Sequence, residues 1–277
     1  MYHGCDTAAR LTLDDYKYLK KNGMDFVMRY FVPVSMSKSL TPDEVNSAHA
    51  AGIALGLVYE TTANRALQGH PAGVADAKTV NGLINEFRPP HGTAIYFAVD
   101  CDVPPALHPT ISAYFIGIKS ELDYRYKIGV YGGRRILGFL EASSDTCTHY
   151  WSAYAWKYGI AGEYNISQLT ASTPFGHLVI DHDEAASLKG FWEGKMTGKD
   201  IYLELKQYLD TVEDTAIDDT TVRKLLEDAR ILNIWDGSRP MGLCHRYEAA
   251  IMALRAYDKA SADAVKGTVS PNAVQGR

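Results

Sequence analysis

Ile95-Tyr96-Phe97-Ala98-Val99-Asp100-Cys101-Asp102 is an apolar run, rich in aromatic and β-branched residues, that stops at two carboxylates. Three other runs have the same form: His3-Gly4-Cys5-Asp6, Gly56-Leu57-Val58-Tyr59-Glu60 and His177-Leu178-Val179-Ile180-Asp181. Each reads as a short buried strand. Helical stretches separate them, which is the pattern of a parallel sheet. When such a sheet closes into a barrel, every strand C-terminus lies on one face, where active sites form. Acids scattered along the chain then converge in one pocket, suited to acid/base chemistry on a neutral substrate such as a sugar.

On either side of that run, strands are expected over residues 1–6, 25–31, 53–60, 93–100 and 127–131, and less regular ones over 149–154, 164–169 and 178–181. Helices are expected over about 13–22, 41–52, 72–87, 109–124 and 134–140. Thr41-Pro42-Asp43-Glu44 marks one helix start, with Thr at the cap, Pro at the first position and acids in the first turn. Eight strand-like runs in about 190 residues fit a small α/β fold of the (β/α)8 type, a TIM-like barrel. The later helices look short or missing, and an open doubly wound sheet is the alternative. After Phe191-Trp192-Glu193-Gly194 the texture changes. Residues 1–194 are thus read as the barrel, 195–200 as a linker, 201–260 as a small all-α domain and 261–277 as a flexible tail.

Of the 277 residues, 28 are basic and 33 acidic, a net charge of −5 without a basic stripe, which argues against nucleic-acid binding. No window holds the roughly 18 uninterrupted apolar residues of a membrane span. The opening Met1-Tyr2-His3-Gly4-Cys5-Asp6 lacks a signal-peptide pattern, so synthesis in a host cytoplasm is expected. Cys5, Cys101, Cys147 and Cys244 show no regular spacing and read as reduced thiols. Asp181-His182-Asp183-Glu184 looks like a metal cluster, but adjacent strand residues point to opposite faces and cannot all ligate one ion. No metal and no cofactor is expected.

Asp100 and Asp102 are two apart, so an extended strand aims both carboxylates into one pocket. Two near carboxylates resist joint ionisation, and the one left protonated can donate to a glycosidic oxygen. The plainer alternative is that Asp102 caps the loop before Val103-Pro104-Pro105. Arg29, inside Phe26-Val27-Met28-Arg29-Tyr30, needs an acidic partner, and Asp6 on the adjoining strand is expected to be it. Tyr30, Tyr59, Tyr131, Trp151, Tyr154 and Trp156 near strand ends offer aromatic platforms for sugar rings. Gln168 is placed to bond a hydroxyl or an N-acetyl group.

The first 190 or so residues resemble bacterial and phage glycoside-hydrolase-like barrel domains, relatives of the family 25 lysozymes. The match rests on Gly4-Cys5-Asp6, Phe26–Tyr30, Leu40–Glu44, Ile95–Asp100, Gly129-Val130-Tyr131-Gly132-Gly133, Trp151, Gln168 and Asp181. The resemblance implies a muramidase-like enzyme of the phage endolysin kind, cleaving peptidoglycan of a Gram-positive wall. In family 25 the fourth strand ends Asp-x-Glu, the Glu giving the proton; here Asp102 stands in its place, one methylene shorter. The donor is then Asp102 or Glu60, with Asp100, Asp6 and Asp181 stabilising the charge that develops. Residues 229–240, with Arg246-Tyr247-Glu248-Ala249-Ala250, resemble one copy of a surface-layer-homology-type motif, which implies attachment to the bacterial cell wall. A plain packing appendage, and with it a homo-oligomer, is the alternative. A non-catalytic wall-glycan-binding barrel and a hydrolase of another wall polysaccharide remain rival readings.

Overall fold

The computed structural model of the protein describes residues 1–194 except 144, 145, 161 and 163. The expected linker, helical domain and tail, residues 195–277, lie outside the described residues. Cys244 and the surface-layer-type motif fall there too.

The elements run β1 (Tyr2–Asp6), α1 (Leu13–Lys21), β2 (Phe26–Tyr30), α2 (Pro42–Ala50), β3 (Ala54–Tyr59), α3 (His70–Phe87) and β4 (Ala94–Val99). Then follow α4 (His108–Glu121), β5 (Lys127–Gly132), α5 (Arg134–Ser143), β6 (His149–Ser152), β7 (Ile166–Gln168), β8 (Thr173–Phe175) and β9 (Leu178–Ala185). Local chemistry sets the helix starts. Thr12 and Asp15 form a reciprocal capping box on α1. Thr41 caps α2 as the sequence predicts, with Pro42 in the first turn.

Strands β1 to β7 pair in order and in parallel, and β9 closes the barrel between β7 and β1. This is the eight-stranded α/β barrel expected, with one correction. The last barrel strand is antiparallel to both neighbours and continues four residues past Asp181. Its first three residues project beyond the barrel and pair with β8 in a hairpin. The reason is the connection: an antiparallel return needs only a short hairpin, whereas a parallel one needs a crossover helix. His177 bonds Asp15 of α1 at 2.6 Å and holds this hairpin to the helical layer.

Alternation sorts the side chains into two cores. Phe26, Met28, Ala54, Val58, Ala94, Tyr96, Ala98, Trp151, Ile166 and Ala185 fill the barrel. Cys5, Val27, Leu55, Leu57, Ile95, Phe97 and Val130 face the helices. Large rings meet small neighbours: Phe26 lies where a side chain on Gly4 would be, and Tyr96 likewise at Gly129. After β9 the chain crosses the far end of the barrel, where Phe191 packs on Phe26 at 4.8 Å. The backbone there pairs with Leu55 and Ala94. One end is therefore plugged, and the acids lie at the other end, which no described residue crosses in this way.

Candidate active site

The inward set of each strand can be followed to its end. On β1 it runs Gly4, Asp6; on β3, Ala54, Gly56, Val58, then Glu60; on β4, Ala94, Tyr96, Ala98, then Asp100. On β9, read backwards, it is Ala185, Asp183, Asp181. Asp6 and Asp181 are direct cross-strand partners. Facing like charges disfavour joint ionisation. Burial first, and then the charge of Asp181, push the Asp6 carboxyl up to about 7.

Gln168, at the end of β7, ties this pair together. Its amide nitrogen donates to Asp6 at 2.7 Å and to Asp181 at 3.1 Å. Its carbonyl accepts from the Tyr154 amide at 2.9 Å and from the Tyr131 hydroxyl at 3.2 Å. Both amide hydrogens and both oxygen lone pairs are then engaged. The expectation that Gln168 bonds substrate is corrected on this ground: its side chain is committed to holding two carboxylates. The Ser172 backbone amide donates to the other oxygen of Asp181.

On the opposite side, Glu60 pairs with Lys38 at 3.4 Å, and the Lys38 ammonium sits 4.1 Å over the Tyr30 ring. Asp100 lies close by and is half-buried. Burial, then the charge of Glu60, raises its carboxyl, with Lys38 opposing. The charges of Asp6 and Asp100 both act on the hydroxyls of Tyr30 and Tyr131, which burial raises first. Asp6, Glu60, Asp100 and Asp181 thus share one electrostatic field at the barrel mouth, with Tyr30 and Tyr131 among them.

Other expected residues lie elsewhere. The strand stops at Val99 and the chain bends at Cys101, so the two-residue spacing no longer aims Asp102 with Asp100. Asp102 is exposed, and the Tyr158 hydroxyl donates to it; Arg135 stacks on the Tyr158 ring at 4.2 Å. Arg29 is corrected more fully. It faces the helices, is 0% exposed, and pairs with Glu44 of α2 at 2.6 Å rather than with Asp6. It cannot touch substrate. Tyr59, adjacent to Glu60, necessarily points the other way, and its hydroxyl reaches Asp76 of α3 at 3.5 Å.

Trp151 does face inward but is buried beneath the site, 4.4 Å from the Tyr131 ring. It supports the floor rather than offering a platform. Tyr154 is 50% exposed, and Lys157 lies 4.9 Å from its ring centre. In the same loop Trp156 and Tyr158 hold φ of 53° and 48°, a left-handed conformation costly for bulky residues.

Two residues absent from the expected set belong to the site. Lys38 sits on a loop and carries no periodic signal. Asp183 is 1% exposed and accepts the Trp151 indole N–H at 2.9 Å. A signal for it exists in the sequence, because Asp183 shares parity with Asp181 once the strand is extended to Ala185. Among the described residues no group of three or more His, Cys, Asp or Glu is placed to hold a metal.

A family model described as "Rv2525c-like, glycoside hydrolase-like domain" matches residues 17–186. The Tat-secreted protein Rv2525c of Mycobacterium tuberculosis, crystallised with L-tartrate, has a similar fold. Its TM-score is 0.60 at 17% identity, over 69% of this chain and 98% of that one. An uncharacterized B. stearothermophilus protein gives 0.54 at 17%, over 69% and 100%. A glycosyl hydrolase 25 of Streptococcus pneumoniae, GHIP, gives 0.45 at 11%, over 68% and 88%. No curated protein matches. At such identities the structural likeness shows the fold alone. The family match covers more than half of the chain, which belongs to the Rv2525c-like, glycoside hydrolase-like domain family.

Proposed function

We propose that the barrel is a glycoside hydrolase of bacterial cell-wall glycan, cleaving the β-1,4 bond after N-acetylmuramic acid in peptidoglycan. The observation that carries this reading is the convergence of Asp6, Glu60, Asp100 and Asp181 on inward positions at the end of the barrel opposite Phe191. Asp100, raised by burial and by Glu60, is suited to give a proton to the leaving oxygen. Glu60, paired with Lys38, serves as the second carboxylate. The Asp6–Gln168–Asp181 group supplies a fixed negative field for an oxocarbenium-like transition state. This reading gives the proton to Asp100 in place of the expected Asp102 or Glu60. The proposal extends to an endolysin-type role. Here the protein is made in the cytoplasm, acts at the wall after release, and is held there by residues 201–260, which raises its effective concentration.

A second reading is favoured by one observation. Asp102, in the place where family 25 has its acid, is turned to the exposed rim and engaged by Tyr158. A non-catalytic barrel that binds wall glycan would have no use for an acid aimed at a bond.

Release of reducing ends from purified walls separates the two. Asp100→Asn and Glu60→Gln are each expected to lower the rate by about 100-fold or more, and Asp102→Asn by only a few fold. Wild type that sediments with walls but releases no reducing ends establishes the binding reading. Mass spectrometry of the soluble fragments identifies the bond.

A further inference from the structure

The floor of the site contains a carboxyl with no charge-balancing partner among the described residues. Asp183 points into the barrel from β9, opposite Gly4 of β1 and Gln168 of β7. It is 1% exposed. One oxygen accepts the Trp151 indole N–H at 2.9 Å, and the other, fully enclosed, has no donor aimed at it. Asp6, two residues along β1 from the Gly4 that pairs with Asp183, also turns its carboxyl inward, so the inward side chains next along β1 and along β9 are both acids, Asp6 and Asp181. An ionised carboxylate only accepts, so an enclosed oxygen with no donor aimed at it is better served when the carboxyl keeps its proton and becomes a donor itself.

We infer that Asp183 carries a proton at neutral pH and donates it to Asp6, so that the two side chains act as one unit bearing at most a single negative charge. The titratable groups around Asp183 agree. Asp6 faces it from β1 and Asp181 from its own strand, both acidic; Tyr131 acts on it from β5 and Cys5 from the outer face of β1. Gln168 spends its donors on Asp6 and Asp181. Removing an isolated carboxylate from water is far costlier than keeping it neutral, and burial, followed by the charge of Asp6, raises Asp183 well above the usual range. Asp183 is a positioning residue: it touches no substrate, fixes the orientation of Asp6, and lowers the tendency of Asp6 to bind a second proton.

The inference rests on the barrel floor and not on the hydrolase reading, so a chain inactive on walls would leave it standing. The test is a carboxyl 13C NMR titration of the full-length protein labelled at aspartate, with Asp6 and Asp183 assigned from Asp6→Asn and Asp183→Asn. In wild type the Asp183 resonance is expected to keep the position of a protonated acid at pH 7, while Asp6 titrates near there. Asp183→Asn replaces the acid by an amide that still accepts from Trp151 and donates to Asp6. The Asp6 midpoint should then move by less than half a pH unit. Were Asp183 ionised in wild type, the same change would delete a charge beside Asp6 and lower its midpoint by a unit or more. Either that drop or a wild-type Asp183 resonance at the ionised position overturns the inference. The wild-type spectrum decides even if the Asp183→Asn variant fails to fold, because Asp6→Asn leaves the Asp183 resonance to be assigned by elimination of Asp6.

Discussion

Asp6→Asn should make the protein more stable above neutral pH while removing a residue of the proposed site. The ordinary aspartate value is 3.8, and in the folded barrel Asp6 is pushed up to about 7. Between these values the unfolded chain has released a proton that the folded chain retains. Stability due to Asp6 is therefore complete below pH 4 and is lost as pH rises through 7. Each pH unit in that window is worth ~1.4 kcal/mol. The amide of the D6N variant does not titrate, so the stability of D6N relative to wild type should rise by ~3 kcal/mol from pH 5 to pH 8, nearly all of it below pH 7. If the substitution also frees Asp183 to ionise, the rise grows, which makes this figure a lower bound. Urea unfolding followed by tryptophan fluorescence at several pH values measures it, with Trp151 and Trp192 buried in or against the barrel as reporters. A difference that is flat with pH, or of opposite sign, would show Asp6 ionised normally and refute the picture of a shared, buried acidic site.

Gln168→Leu removes the amide that donates to Asp6 and so opposes its protonation; the pH at which the stability difference between a chain and its D6N variant levels off should move above 7 when both carry Gln168→Leu. Glu44→Ala strands the fully buried Arg29 and also takes an acceptor from the Leu11 amide and the Tyr16 hydroxyl. A loss of about 3–5 kcal/mol is expected, and a loss of less than about 1 kcal/mol would show that the pair is dispensable. Helices α3 and α4 touch through glycines, a Cβ on Gly73 falling 2.0 Å from the Tyr114 carbonyl oxygen. Gly73→Ala should therefore destabilise by about 1–3 kcal/mol. Gly82→Ala on the same helix, with nothing within 4 Å, should instead stabilise by about 0.5–1 kcal/mol; equal effects at both sites would refute the contact.

The order of strands and helices through β7 is legible because each element is set by neighbours in the chain: apolar runs, the Thr41-Pro42 cap, glycines at turns. The same local alternation places Asp6, Glu60 and Asp100 inside the barrel. It also carries two facts that a search for strand-end residues passes over. Tyr59 and Glu60, as adjacent strand residues, cannot both face a pocket, and Asp183 must face with Asp181. Arg29 gives no such signal, since its strand is buried on both faces and alternation leaves no trace in the sequence.

Read alone, the amino-acid order specifies the repeating frame and the parity that sends most of the acids inward. Closure of the barrel was needed to settle the direction of β9, the bend at Cys101 that turns Asp102 to the rim, and the partners of each buried polar group: Glu44 for Arg29, Asp6 and Asp181 for Gln168, Trp151 for Asp183. The difference is one of range. Strand parity is a property of the local backbone, whereas a buried charge or amide is satisfied by whatever the closed barrel brings beside it, in the case of Gln168 and Asp6 from opposite ends of the described chain.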